Sequence, residues 1–187
     1  MPMVRKRLVK HTPERTPDFS KLAAVLLFWN HRLVRIEIKL LRRDDEPLLA
    51  NVAAGVFDQT VDMHLTKEFL GDSRHHLAVA VEDGLVVGMA SAVHYVHPDK
   101  PPQLWINEIS VAPTHRGRGL GKALLAGVLG VGRALGCSEA WVLADRPNLA
   151  AMRLYAALGG RECPNTQVMF TFPFPRGAGS HLLPGGS

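Results

Sequence analysis

The chain reads as a mixed α/β domain with strands and helices interleaved, and three stretches carry that reading. The first is "HLAVAVEDGLVVGMASAVHYV" at 76–96, two β-rich runs joined at Asp83-Gly84, a dipeptide that tolerates positive φ in a tight hairpin turn. The second is "QLWINEISVAP" at 103–113, a strand stopped by Pro113 and followed at once by a glycine corner and a helical pattern. The third is a strand at 139–145 followed by a helix from Asn148 to Gly159. With 187 residues, 47% of them apolar, one core is within reach.

Taken in order, residues 1–34 read as a basic amino-terminal extension, either a short amphipathic segment or a disordered arm, because no strong turn or cap organises them. "RIEIKLL" at 35–41 alternates as a strand. Asp44 or Asp45 as cap, with Pro47 in the first turn, predicts a helix to about Val56. A second short helix is expected at 62–70, ending at Gly71. After the hairpin, "PDKPP" marks a loop. Leu120, Ala123, Leu124, Val128, Val131, Ala134 and Leu135 recur at helical spacing, interrupted by Gly127, Gly130 and Gly132, which close packing on a sheet would offset. "TQVMFTFPF" at 166–174 reads as a last strand, and the domain is taken as 35–175, with a flexible tail at 176–187.

Charge narrows the partners. Residues 1–43 hold eleven basic and three acidic residues, a net of +8, while the remainder carries −3, which together make the formal +5. A mildly acidic body suits a cationic small molecule better than a phosphate backbone, so no nucleic acid is expected. Cys137 and Cys163 form no disulfide framework, which favours a reducing, cytoplasmic setting. "LAAVLLFW" at 22–29 is too short to span a bilayer and runs into "NHRLVR" without a small-residue cleavage site, so neither a membrane anchor nor a signal peptide is expected.

The glycine corner "HRGRGLGKALL" fails two phosphate-loop patterns. A Walker loop needs glycine where Arg116 stands and serine or threonine where Ala123 stands, and a dinucleotide fingerprint needs a different glycine spacing. What remains is a glycine loop opening a helix, with unpaired amides at the positive end of the helix dipole and Arg116, Arg118 and Lys122 nearby. Those ingredients bind an anion.

Arg116-Gly117-Arg118-Gly119-Leu120-Gly121 fits the Arg/Gln-x-x-Gly-x-Gly/Ala pattern of the GNAT superfamily of N-acetyltransferases, and "NLAAMRLYAALGG" resembles that family's asparagine and tyrosine helix. More narrowly, "WINEISVAPTHRGRGLGKALL" and "VLADRPNLAAMRLYAALGGRE" resemble the aminoglycoside 3-N-acetyltransferases. The resemblance implies a central twisted mixed sheet of about six to seven strands flanked by about four helices, with acetyl-CoA as cosubstrate and no metal. Residues 117, 119, 120 and 121 (Gly117, Gly119, Leu120, Gly121) would hold its pyrophosphate, together with Arg116, Arg118 and Lys122. By the same resemblance, the backbone of Ile109, Ser110 and Val111 would run beside the pantetheine arm, with the Val111 N–H facing the thioester oxygen.

Glu108 would take the amine proton and face the acceptor, Tyr155 would protonate the leaving thiolate, and Asn148 would help hold the cofactor. Asn148 also reads as a plain helix cap and Tyr155 as a core residue. Asp145 would bind a substrate ammonium; Asp58, Asp62, Glu82 and Asp83 are further carboxylates of undetermined place. His94-x-x-His97 puts its rings on opposite faces of a strand, which argues against a metal pair. The expectation is an enzyme acetylating the 3-amino group of an aminoglycoside, an antibiotic-resistance activity. Beside it stand a GNAT acting on another small amine or a protein or peptide amine, and a non-catalytic acyl-CoA-binding module. A homodimer is a further implication of the resemblance.

Overall fold

The computed structural model describes residues 25–29, 32–163 and 171, with side chains from residue 35 onward. The expected strand at 166–174 and the tail at 176–187 lie outside the described residues, Thr171 apart. Among the described residues six strands form one sheet in sequence order: β1 Val25–Trp29, β2 Arg32–Leu40, β3 His75–Glu82, β4 Leu85–Tyr95, β5 Gln103–Val111 and β6 Ala140–Val142. The first five are antiparallel and β6 joins β5 in parallel, which makes the sheet mixed. The helices are α1 Met63–Gly71, α2 Leu120–Ala134 and α3 Leu149–Ala156, with 3-10 turns at Arg43–Ala50 and Pro113–His115.

Two expectations need correction. Residues 25–29, placed in an extension read as a short amphipathic segment or a disordered arm, pair with β2 from Val25 opposite Ile36 to Trp29 opposite Arg32. The boundary set at residue 35 therefore falls inside a strand, because the apolar run finds a ladder partner that local sequence does not reveal. The helix expected to run from Asp44 or Asp45 to Val56 is instead a 3-10 helix ending at Ala50. Pro47 has no N–H to donate and its ring crowds the carbonyl four residues back, so a regular α-helical ladder cannot form through it. Asp45 still organises the start: its carboxylate accepts from the Arg42 N–H at 2.9 Å and from Lys39 Nζ at 2.6 Å.

The hairpin closes where expected, with Asp83 at φ 47° and Gly84 at φ 80°. Alternation along β3 splits the core in two. Ala78 and Ala80 face α2 beside Leu124 and Val128, while Leu77 and Val79 face the other way, toward Leu49, Val56 and Met89. Each fully buried leucine or valine side chain contributes on the order of 2 kcal/mol. On the α2 side the packing is close: a Cβ on Gly132 would lie 3.0 Å from Leu104 Cδ2, which explains that glycine inside a helix. Gly130 has nothing within 4 Å, and no contact accounts for it.

Candidate active site

The site begins where two strands part. β6 pairs with β5 only over Leu104–Ile106, yet β5 continues to Val111, so its far half has no strand on that edge among the described residues. The Ala112 N–H donates to the Val87 carbonyl at 2.9 Å, and antiparallel ladders alternate bonded and non-bonded pairs. Ile109 and Val111, opposite Ala90 and Gly88, therefore direct their N–H and C=O groups away from β4, into the opening. Arg116 Nε donates to the Val111 carbonyl at 3.2 Å from that side.

A bulge aims the carboxylate. Ser91 pairs with Glu108 but Ala92 pairs with Ile106, leaving Asn107 as an extra residue in β5. Before the bulge, Leu104 and Ile106 face α2; after it, Ile109 and Val111 do. Without the extra residue Glu108 would share the α2 face. With it, Glu108 and Ser110 turn to the opposite face, where the Ser110 hydroxyl donates to the Gly55 carbonyl at 3.1 Å. Burial pushes the Glu108 carboxyl above the usual carboxylate range, and the negative charge of Asp58 pushes it the same way. A carboxylate so placed is a better proton acceptor than one in bulk water.

The structure sorts the remaining carboxylates. Asp62 caps α1, accepting from the His64 and Leu65 N–H groups at 2.7 and 3.1 Å. Asp83 forms the hairpin turn. Glu82 faces His115 and Arg118 beneath the glycine corner. Of the four, only Asp58 acts on Glu108. Asp145, expected at a strand end, lies beyond it: β6 stops at Val142, and the Asp145 carbonyl accepts the Asn148 N–H at 2.8 Å in the turn leading to α3.

At the corner itself, Gly117 and Gly119 sit at φ 76° and 78°, the left-handed region that side chains disfavour. Gly119 is the N-cap of α2 and has no side chain to offer, so the first amides, those of Leu120, Gly121 and Lys122, are left for an outside acceptor. Leu120 is buried and anchors the helix start, while Lys122 is exposed. A Cβ on Gly121 would meet Leu154 of α3 at 3.5 Å, so α3 stands against the corner. A phosphate-sized anion fits this geometry: amides and helix dipole converge on space that no Cβ fills.

On α3, Asn148 Oδ1 accepts the Ala151 N–H at 3.1 Å, the capping role. Tyr155 is half-buried against the α2 side of the core, and burial raises its phenol, so the hydroxyl keeps its proton at neutral pH. His94 and His97, read together in the sequence, have different partners. His94 Nδ1 lies 2.9 Å from His76 Nε2, and His97 Nε2 lies 3.2 Å from Gln103 Oε1. Burial first, then the neighbouring imidazoles, hold His76 down to about 4. Sequence reasoning missed His115 as a loop residue; its signal was a histidine directly ahead of the arginine that opens the corner.

Known proteins bear on this arrangement. The family model described as Acetyltransferase (GNAT) family matches residues 38–159. Streptothricin acetyltransferase of Streptomyces lavendulae is 35% identical over 92 residues, 49% of this chain and 47% of that protein. Aminoglycoside N(6')-acetyltransferase type 1 of Salmonella typhimurium is 34% identical over 93 residues, 46% of this chain and 64% of that protein. The chain spans about half the length of the curated relatives it matches. Among solved structures, aminoglycoside N-acetyltransferase AAC(6')-Iy in complex with CoA superposes with a TM-score of 0.59 at 26% identity, covering 78% of this chain and 99% of that one. Among the described residues no helix is long and apolar enough to cross a membrane. The parted strands, the glycine corner and the family match over residues 38–159 agree: this chain belongs to the acetyltransferase (GNAT) family.

Proposed function

We propose that the protein is an acetyl-CoA-dependent N-acetyltransferase that passes acetyl directly to a primary amine of an aminoglycoside. The observation that carries this reading is the juxtaposition at the end of β5: a strand edge without a partner among the described residues and a glycine-capped helix start on one side, and Glu108 within the influence of Asp58 on the other. Bound acetyl-CoA would supply an activated thioester carbonyl. The amides of Gly119 to Lys122 and the side chains of Arg116, Arg118 and Lys122 would hold its diphosphate, and Asn148 would steady the α3 side of that hold. Ile109 and Val111 would bond its pantetheine arm as an added strand, whereas the backbone groups of Ser110, opposite Met89, are turned to β4.

Glu108 would take a proton from the acceptor ammonium, directly or through water, leaving a neutral nitrogen to form the new C–N bond. The Val111 N–H would hold the carbonyl oxygen as charge gathers there. Tyr155 would give its proton to sulfur as the C–S bond breaks, and the second proton that the nitrogen sheds on becoming an amide would offset the one Tyr155 gives up. Asp58 and Asp145 would receive other ammonium groups of a polycationic acceptor. The motif segments favour the 3-amino group, whereas relatives named for the 6' position favour that amine.

The test is CoA release by purified protein with acetyl-CoA and a panel of aminoglycosides, polyamines and peptides, beside Glu108→Ala and a blank without acceptor. Turnover with aminoglycosides, reduced about a hundredfold or more in the variant, is expected, and mass analysis of the product then locates the acetyl group. Turnover with polyamines or peptides alone overturns the acceptor. CoA binding without turnover on any acceptor overturns the enzyme reading in favour of a binding module.

A further inference from the structure

The glycine corner is open around Gly117 and Gly119, where a Cβ would meet no atom within 4 Å. Polar contacts brace it, and two of them, from His115 and from Arg118, converge on one residue from outside it. Glu82, the last residue of β3, accepts from His115 Nε2 through Oε2 at 2.8 Å and sets Oε1 3.7 Å from Arg118 Nη1. His115 is 8% exposed, and its Nδ1 lies 2.8 Å from the Thr114 hydroxyl. Arg118 Nη2 donates to the Thr114 carbonyl at 3.2 Å. Thr114, His115 and Arg118 bracket Arg116 and Gly117, so the contacts enclose the corner from both sides. The partner carboxylate comes from a strand 33 residues away.

We propose that Glu82 and His115 are positioning residues, a clasp that ties the glycine corner to the end of β3 and keeps its amides set for the cofactor diphosphate. The inference rests on the reading of the corner as the CoA site. The contact is a charge-assisted one in a shielded place, where a lost partner leaves a buried polar group unsatisfied. Freed of it, the two positive-φ glycines would let the loop sample other shapes, and binding would be weakened by the fraction of time spent in them.

Isothermal titration of the full chain with CoA, paired with steady-state kinetics, tests this. Glu82→Ala and His115→Ala should raise the CoA Kd and the acetyl-CoA KM about tenfold, with kcat at saturation and acceptor KM within about twofold of wild type. His115→Gln, which can still donate to Glu82, should recover part of the loss. In the absence of CoA, trypsin should cut at Arg116 and Arg118 faster in the alanine variants. Should those variants fold poorly, Thr114→Val, at an exposed position, removes only the hydroxyl and should give a smaller rise in Kd. Wild-type affinity in Glu82→Ala, or in Thr114→Val where the alanine variants do not fold, overturns the clasp and leaves the CoA site standing. No CoA binding by wild type overturns the site, and the clasp with it.

Discussion

The two faces of the sheet are built to different tolerances. Facing α2, β3 and β4 present Ala78, Ala80, Gly88, Ala90 and Ala92, and the helix sets Gly127 against Ala78 and Gly132 against Leu104 of β5, so it lies close on the sheet. Facing the other way they present Leu77, Val79 and Met89, covered by a 3-10 turn, the segment at 51–61 and the nine-residue α1. A closely fitted layer fixes positions, whereas large side chains under irregular chain leave room for a wall to vary. The proposed site draws on both: the corner and Tyr155 belong to the fitted side, Glu108 and Asp58 to the other. The bulge at Asn107 is where β5 passes its chemistry from one face to the other.

The largest expected effect tests the fitted side. Tyr155→Phe keeps the ring packed against the core and removes only the hydroxyl, so melting temperature and CoA affinity should hardly move. If the phenol discharges the thiolate, kcat should fall about a hundredfold. Unchanged turnover, read by CoA release, would mean that Tyr155 is only a packing residue and that the fitted face supplies position but no proton.

The fitted side was also the legible one. A strand, a proline stop, a glycine corner and an apolar helical stripe are local signals, and "SVAPTHRGRGLGKALL" places them in register without any long-range knowledge. The hairpin at Asp83-Gly84 was legible for the same reason. What escaped depends on partners distant in sequence. The strand at 25–29 exists through its ladder with β2, the bulge at Asn107 through a mismatch with β4, and the clasp through Glu82, 33 residues before His115. Glu82 and Asp58 looked alike as isolated carboxylates; only the fold separates a loop brace from a neighbour of Glu108.

Packing tolerance can be measured directly within α2. Gly132→Ala drives a methyl to 3.0 Å from Leu104, a fully buried side chain with little room to yield, and should cost about 1–2 kcal/mol. Gly130→Ala meets nothing within 4 Å and should gain about 0.5–1 kcal/mol of helix propensity. Urea unfolding of the pair gives the contrast. Equal and stabilising effects would show that α2 is not held at close range, and the distinction between the faces would lose its basis.

The smallest effect probes the variable side. Glu108 must be ionised to accept a proton, so activity falls as pH drops through its pKa, which burial and the charge of Asp58 hold above the usual carboxylate range. Asp58→Asn removes the second cause and leaves the first. The acid limb of the kcat/KM profile should therefore move to lower pH without reaching that of an ordinary carboxylate, while the acetyl-CoA KM stays constant. A limb that stays in place would mean that the segment at 51–61 does not bring Asp58 to bear on Glu108 in the enzyme free of acceptor. A limb that shifts together with a rise in acceptor KM would assign Asp58 a second task, contact with an acceptor ammonium. Charge on the irregular wall would then tune both the base and the choice of amine, while the fitted face holds the cofactor unchanged.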